Sequence, residues 1–305
     1  MIVKQLIRIS RRWALAAVCL AITAHPSVGH FGTARASLLL SYSFNSVSGT
    51  APTQTTPDSS GNNLTGSLLG GSGVTPGTDY PTLVANSPDG SNSMQFFGGT
   101  ASSKYTRVEV ADASSGPLDA AFTNFTVSAW VLTSGQPSID TFLMGKTGAS
   151  NNRGWQIFRS ANTNTLGFDY FNGSSNTPTQ ELFVPNVFAD NQWIGFAIVF
   201  TGNTSIDVYG SQGGVTTNLL HQTTGTLANW NGSNSAPFQV GDRGAFASAA
   251  WTGYIDNVNI YNESLTSAQV AALMPAPEPS TFVLCTIAVG LALLIKRRIG
   301  SSLLS

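Results

Sequence analysis

Between residues 39 and 261 the chain repeats one device: a short run in which apolar and polar side chains alternate, or β-branched and aromatic residues crowd together, closed off by Gly, Ser, Asn, Thr or Pro. Eleven such runs can be read, at 39–44, 93–97, 107–110, 125–132, 141–144, 155–159, 166–171, 193–200, 205–209, 238–241 and 253–261. A period of two puts alternate side chains on opposite faces of a sheet, and polar turns between short runs send the chain back and forth. The expected fold is therefore all-β, a sandwich or barrel. One stretch reads as helix, Thr266-Ser267-Ala268-Gln269-Val270-Ala271-Ala272-Leu273, where Thr266 can cap the first amides and Gln269 completes a capping box. Pro275 and Pro277 end it.

Two runs say more. In Phe125-Thr126-Val127-Ser128-Ala129-Trp130-Val131 both alternate sets can be covered, as in an inner strand of a two-sheet sandwich. From Trp193 to Phe200 the apolar character is nearly continuous, which fits a strand buried on both sides.

Both ends of the chain read as processing signals. Lys4, Arg8, Arg11 and Arg12 precede an apolar stretch from Trp13 to Ala24, and Ala34-Arg35-Ala36 offers small residues at the positions a signal peptidase reads, so residues 1–36 are expected to be an export signal cut after Ala36. Ser10-Arg11-Arg12 is a partial twin-arginine motif without its usual Phe. Val18 is too large for a lipoprotein site at Cys19. At the other end, Pro277-Glu278-Pro279 is followed by an uncharged apolar run at 282–295 and by Lys296-Arg297-Arg298. A core helix has no reason to begin at Pro-Glu-Pro and stop at a basic cluster, whereas a membrane-inserted segment with its positive end on the cytoplasmic side has both. This order resembles the PEP-CTERM sorting tail of Gram-negative bacteria. The resemblance implies that residues 275–305 insert in the membrane before sorting, that an exosortase cleaves them, and that the remainder is released or anchored in an extracellular polysaccharide matrix. A permanent anchor is the alternative.

Removing both ends changes the charge. Five of the fourteen basic residues precede the cut and three lie in the tail, so six remain against all fifteen acidic ones, a net −9 for residues 37–279. Such a domain repels nucleic acid and anionic membranes. Both cysteines, Cys19 and Cys285, leave as well, so the domain at 37–274 must hold itself together by its core.

Leu40-Ser41-Tyr42-Ser43-Phe44, Asp58-Ser59-Ser60-Gly61-Asn62-Asn63, Met94-Gln95-Phe96-Phe97-Gly98-Gly99, the run from Phe125 to Val131, Gln192-Trp193, Ile206-Asp207-Val208-Tyr209-Gly210 and Gly253-Tyr254-Ile255-Asp256-Asn257-Val258-Asn259-Ile260-Tyr261, in that order, resemble the laminin-G-like, concanavalin A-like lectin domain. The resemblance implies a jelly-roll sandwich of two antiparallel sheets whose first and last strands lie close together. Gly195-Phe196 departs from relatives that carry polar His residues after the Trp.

The inventory limits the chemistry. Within 37–279 the one histidine is His221, in the strand-to-loop stretch Asn218-Leu219-Leu220-His221-Gln222 and read as a surface residue, and cysteine is absent, so a Cys nucleophile, a redox pair and a zinc site built on several His or Cys are excluded. Glycoside hydrolysis needs two carboxylates across one bond. Here Glu109, Glu181, Glu263 and Glu278 are scattered, and Glu109 and Asp112 have an odd spacing that points them to opposite faces. The domain is expected to be no enzyme. Structural calcium suits the oxygen-rich turn 58–63. In the resembled domains such a loop is often bridged to the Asp of the final strand, which makes Asp58, Asn62 and Asp256 the candidate ligands; the alternative is an Asx turn plus a strand Asp bonded to neighbouring amides. Sugar binding calls for an exposed aromatic ring flanked by polar groups. Trp130, Trp193 and Trp251 fall in strand motifs and read as core. Trp230, in a wholly polar loop, is either a lid on the core or a ligand platform, and Tyr170, Asp169 and Arg159 could line a sheet face.

The expectation is an exported, non-catalytic carbohydrate-binding domain at the cell surface or in the extracellular matrix of a Gram-negative bacterium, with extracellular polysaccharide as partner. The alternatives are a structural matrix protein without a specific glycan and a polysaccharide-active hydrolase, the last requiring two acidic residues in one cleft.

Overall fold

Every run singled out above for its alternation forms a strand in the computed structural model. It describes residues 37–70, 80–98, 105–112, 116–119, 124–133, 135–148, 153–171, 178, 180–202, 204–212, 215–223, 234–243 and 249–274. The expected export signal, Trp230 and the sorting tail with its apolar run at 282–295 lie outside these residues. Among the described residues, no helix is long and apolar enough to cross a membrane.

The strands are β1 (Leu38–Tyr42), β2 (Thr55–Thr56), β3 (Gly66–Leu69), β4 (Thr82–Val84), β5 (Ser93–Phe96), β6 (Arg107–Val110), β7 (Phe125–Leu132), β8 (Thr141–Thr147), β9 (Arg153–Arg159), β10 (Leu166–Tyr170), β11 (Gln180–Val184), β12 (Ile194–Thr201), β13 (Ser205–Gln212), β14 (Val215–Thr223), β15 (Phe238–Val240) and β16 (Gly253–Tyr261). Among the described residues they form two eight-stranded sheets. The first runs β14-β13-β12-β7-β16-β5-β4 with β1 also on β16, and the second runs β11-β10-β9-β8-β15-β6-β3-β2. Neighbouring strands are antiparallel throughout, giving the all-β two-sheet sandwich. β1 pairs with the second half of β16, Leu40 opposite Ile260 and Tyr42 opposite Val258, so the first and last strands do adjoin.

Aromatic rings knit the sheets together in place of disulfides. Phe125 stacks on Phe200 within the first sheet at 4.2 Å between centroids, and Phe125 reaches across to Trp155 in the second at 6.1 Å. Trp155 in turn meets Phe168 and Phe238. Each such ring, fully buried, contributes about 1.5–3 kcal/mol by leaving water.

The outward residues of β7 and β12 build a second apolar cluster. Trp130, Ala197 and Val199 are covered by the helix α1 (Ser267–Leu273) and the residues flanking it, through Val270, Met274 and Leu265. Thr266 caps this helix with the full capping box. Gly195 explains itself here: a Cβ would stand 2.8 Å from Met274 Sδ and 3.1 Å from Trp130 Cε2, so only a bare backbone lets the helix end and the indole meet.

β2, β3, β4, β11 and β14 are not among the eleven runs. Four are two to five residues long, and β14, nine residues, is an edge strand exposed along most of its length, so it lacks the alternation that burial imposes. His221 lies on β14, with its ring 2.8 Å from Asp207 and mostly exposed.

Candidate functional site

Strand register turns scattered residues into a surface. On the second sheet, Val108, Phe238, Trp155, Ile157, Phe168 and Leu182 point into the core, so their strand neighbours point out. Pairing then aligns Glu109, Gln239, Gly145, Gln156, Asp169 and Glu181 as one row across β6, β15, β8, β9, β10 and β11. Two pairs in the row are hydrogen-bonded. Gln239 Nε2 donates to Glu109 Oε2 at 2.8 Å, and Gln156 Nε2 donates to Asp169 Oδ2 at 2.6 Å while its Oε1 accepts from Arg243 Nη1 at 3.2 Å.

A second outward row lies beside it. Phe142 faces Phe158, Phe158 faces Gly167, and Gly167 faces Phe183. The Phe158 ring lies where a side chain at Gly167 would be and meets Phe183 edge to face at 6.0 Å. Phe183 is 49% exposed, an aromatic surface presented to solvent next to the polar row.

Two clefts flank the place where Phe142 N donates to Ala249 O at 2.6 Å. The larger, about 230 Å³, is lined by Thr133, Gly135, Gln136, Pro137, Thr141 and Trp251 among others. Trp251 Nε1 and Thr141 Oγ1 are enclosed and have no hydrogen-bond partner among the described residues. The smaller, about 80 Å³, is lined by Asp140, Phe142, Gln156, Phe158, Asp169 and Arg243, with Ala249.

Asp169 carries the electrostatics of the smaller cleft. It is only 6% exposed, and its Oδ1 has no hydrogen-bond partner among the described residues. Burial pushes its carboxyl up to about 6 against the opposing hydrogen bond from Gln156; Glu181 and Asp140 raise it further, and Arg243 pulls it back. Asp140 is itself held by Ala161 N at 2.7 Å and Ser160 Oγ at 3.3 Å.

Of the glycan-contact residues nominated from sequence, Asp169 is brought to this surface and Tyr170 is not. Tyr170 points the other way on β10 and is buried, as alternation requires of adjacent residues. Arg159 is wholly buried. It donates to Thr163 O, Gly135 O, Asn164 Oδ1 and Asp190 Oδ1 and sits 5.4 Å over the Phe188 ring, so it fastens the loop that carries Gly135 into the wall of the larger cleft. Trp130, Trp155 and Trp251 are buried, and Trp193 is half-buried with its Nε1 3.4 Å from Asn86 Oδ1. Gln156, Phe158, Arg243 and Asp140 were missed because only register places them together. Phe183 could have been found, since Gln180-Glu181-Leu182-Phe183-Val184 exposes an aromatic if Leu182 and Val184 face inward.

The candidate calcium ligands separate into two groups. Asp58 Oδ1 accepts from Ser41 N and Ser60 N, and its Oδ2 accepts from Ser60 Oγ and Leu64 N, which fills its four lone-pair directions with protein donors. Asn62 Nδ2 donates to the carbonyls of Leu38 and Leu39. That is a turn stitched to β1, and it does not fit a cation. Asp256 is buried on β16 and accepts from Asn257 N and Nδ2. Burial, opposed by the Asn257 amide and reinforced by the charge of Asp89, pushes it up to about 8. At Asp89 burial opposes ionisation, but Ser87, Ser91 and Asn257 together hold it below the usual carboxylate range. Among the described residues no three of Asp, Glu, His or Cys gather as a metal cluster. Glu109 and Asp112 face opposite ways, Glu109 on the outer row and Asp112 in a buried ion pair with Lys146 at 2.7 Å.

A family model described as the concanavalin A-like lectin/glucanases superfamily matches residues 102–271, more than half of the chain, and the chain belongs to that superfamily. No curated protein sequence matches it. Among solved structures it is similar to the binding domain of Paraclostridial Mosquitocidal Protein 1 (16% identity, TM-score 0.53, 78% of this chain and 52% of that one). It is also similar to domain 4 of AbnA, a GH43 extracellular arabinanase from Geobacillus stearothermophilus, in complex with arabinotriose (19% identity, TM-score 0.52, 78% and 98%). A third is a botulinum neurotoxin type C structure whose description makes cell entry dependent upon two ganglioside molecules (14% identity, TM-score 0.51, 78% and 50%). The chain thus spans about half the length of the toxin chains and nearly all of the arabinanase domain. At these identities the likeness speaks for the fold.

Proposed function

We propose that this is a non-catalytic glycan-binding domain, exported by a Gram-negative bacterium and held at the cell surface or in the extracellular polysaccharide matrix. The observation that carries the reading is the outer surface of the second sheet, where the half-exposed Phe183 and its partner Phe158 adjoin the polar row Gln156, Asp169 and Glu181. A pyranose offers an apolar C–H face and a rim of hydroxyls; here Phe183 offers a ring for the first, and the exposed Glu181 and the cleft beside Asp169 offer acceptors for the second. The arabinotriose complex of AbnA domain 4 and the ganglioside dependence of the type C toxin are properties of those proteins, and they support the reading as instances of the fold at work on sugars.

The hydrolytic alternative has one observation in its favour: Asp140 and Asp169 line the same cleft, with Glu181 opposite Asp169 on the next strand. Against it, the cleft of about 80 Å³ admits a substituent and not a glycosidic linkage with a ring on either side, and Asp140 is engaged by the 160–161 turn. A structural matrix protein without a specific glycan remains the other alternative; nothing in it would require Phe183 to stand exposed.

In the same reading signal peptidase removes residues 1–36, the segment at 282–295 holds the chain in the membrane, and an exosortase acts near Pro277-Glu278-Pro279, which the order of these sequence features supports. A structural calcium is held at Asp256, the nominated ligand whose buried carboxylate accepts from Asn257 alone among the described residues. Calorimetric titration with the producer's exopolysaccharide tests the binding role: saturable heat is expected, and no heat with any polysaccharide, or turnover of one, would reject it. Chelator is expected to lower the melting temperature of the wild type and to leave Asp256→Asn unmoved.

A further inference from the structure

We infer that the smaller cleft receives the ammonium group of an amino sugar, so that the glycan held by this surface carries free amines. The inference rests on the glycan-binding reading and adds the charge of the ligand.

The cleft is sized for a substituent, at about 80 Å³. Asp140 and Asp169 line it and Glu181 faces Asp169 from the next strand, while the cation among its lining residues, Arg243, acts on Asp169 through its charge and directs Nη1 to Gln156 Oε1, so that carboxylates outnumber cations. Asp169 is more than nine-tenths buried and its Oδ1 lacks a partner among the described residues. A buried acceptor without a donor is costly, and a carboxylate more so, which makes the missing partner a donor that brings positive charge. Uronates and sulfates would meet two or three carboxylates here on a domain of net charge −9.

A divalent metal does not match, because such ions take six or more oxygen ligands, whereas this cleft is lined by two carboxylates and by the cation Arg243. A lysine side chain would bring the ammonium without a ring to cover Phe183, whereas an amino sugar brings both, its ring on Phe183 and its amine beside Asp169.

The test is calorimetry on the full-length chain in mild detergent near neutral pH, against four oligomers of equal length: β-1,4-linked glucosamine, its fully N-acetylated counterpart, galacturonate and lysine. The glucosamine oligomer is expected to bind about tenfold more tightly than the acetylated one, and Asp169→Asn to erase that preference. Equal or tighter binding of the acetylated, uronate or lysine oligomer overturns the inference while leaving or replacing the glycan-binding reading. An unchanged preference in a folded Asp169→Asn also overturns it. Silence from all three sugars removes the glycan-binding reading, and this inference with it. The amine-against-acetamide comparison needs no variant, so a poorly folding Asp169→Asn leaves the test standing.

Discussion

The two sheets use their outer faces in opposite ways. On the first, Trp130, Ala197 and Val199 point outward and the helix α1 closes over them with Val270 and Met274. On the second, Gln156, Asp169 and Glu181 point outward and Phe183 stays half exposed beside them. Both obey the same alternation. An indole flanked by Ala and Val gains by recruiting an apolar cover, whereas amides and carboxylates are enclosed only where hydrogen bonds replace water, as between Gln156 and Asp169. A ligand surface is therefore sought where outward residues are polar around an aromatic nucleus, and a packing surface where they are apolar.

The largest expected effect is on the closed face. Trp130→Ala should cost about 3–5 kcal/mol in denaturant unfolding, because it empties the space beneath the helix, yet leave glycan affinity of the folded protein unchanged. A linked loss of affinity would mean that the two faces are not independent. Gly195→Val should cost about 1–3 kcal/mol, since its side chain meets Met274 Sδ and Trp130. Thr266→Ala, which removes the capping box that starts α1, should cost about 1 kcal/mol.

The open face should show itself in pH instead. Asp169 titrates at about 6 in the fold, above the ordinary carboxylate value, so the folded protein holds that proton more tightly than the unfolded one. Its contribution to stability is fully present below the ordinary value and is lost as pH rises through about 6. Melting temperatures across that window should fall less steeply in Asp169→Asn than in the wild type, and identical slopes would show that Asp169 does not titrate there.

How much of this could be read in advance follows from the same contrast. Strands with a buried side announce themselves by alternation, and Phe125 to Leu132 and Gly253 to Tyr261 were legible for that reason. β14 was not, because an edge strand exposed along most of its length has no pattern to impose. Asp169 was legible as a polar residue in a strand, and alternation alone already separates it from Tyr170. The cleft around it was not legible, since Gln156, Asp140 and Arg243 come to it from separate segments through registers set by turns far from the site. Asp58 looked like a metal ligand because oxygen-rich turns and cation loops share a composition; the four protein donors on its carboxylate distinguish them, and two of those come from Ser41 and Leu64, outside the 58–63 turn.

The most direct measurement is the affinity of the full-length chain for the producer's exopolysaccharide with and without Phe183→Ala. Phe183 is half exposed, so its loss should move stability by no more than about 0.5 kcal/mol. Saturable binding in the wild type that falls at least about tenfold in a variant of unchanged melting temperature is the expected result. Saturable binding that Phe183→Ala leaves untouched would contradict the assignment of the glycan to the open face of the second sheet.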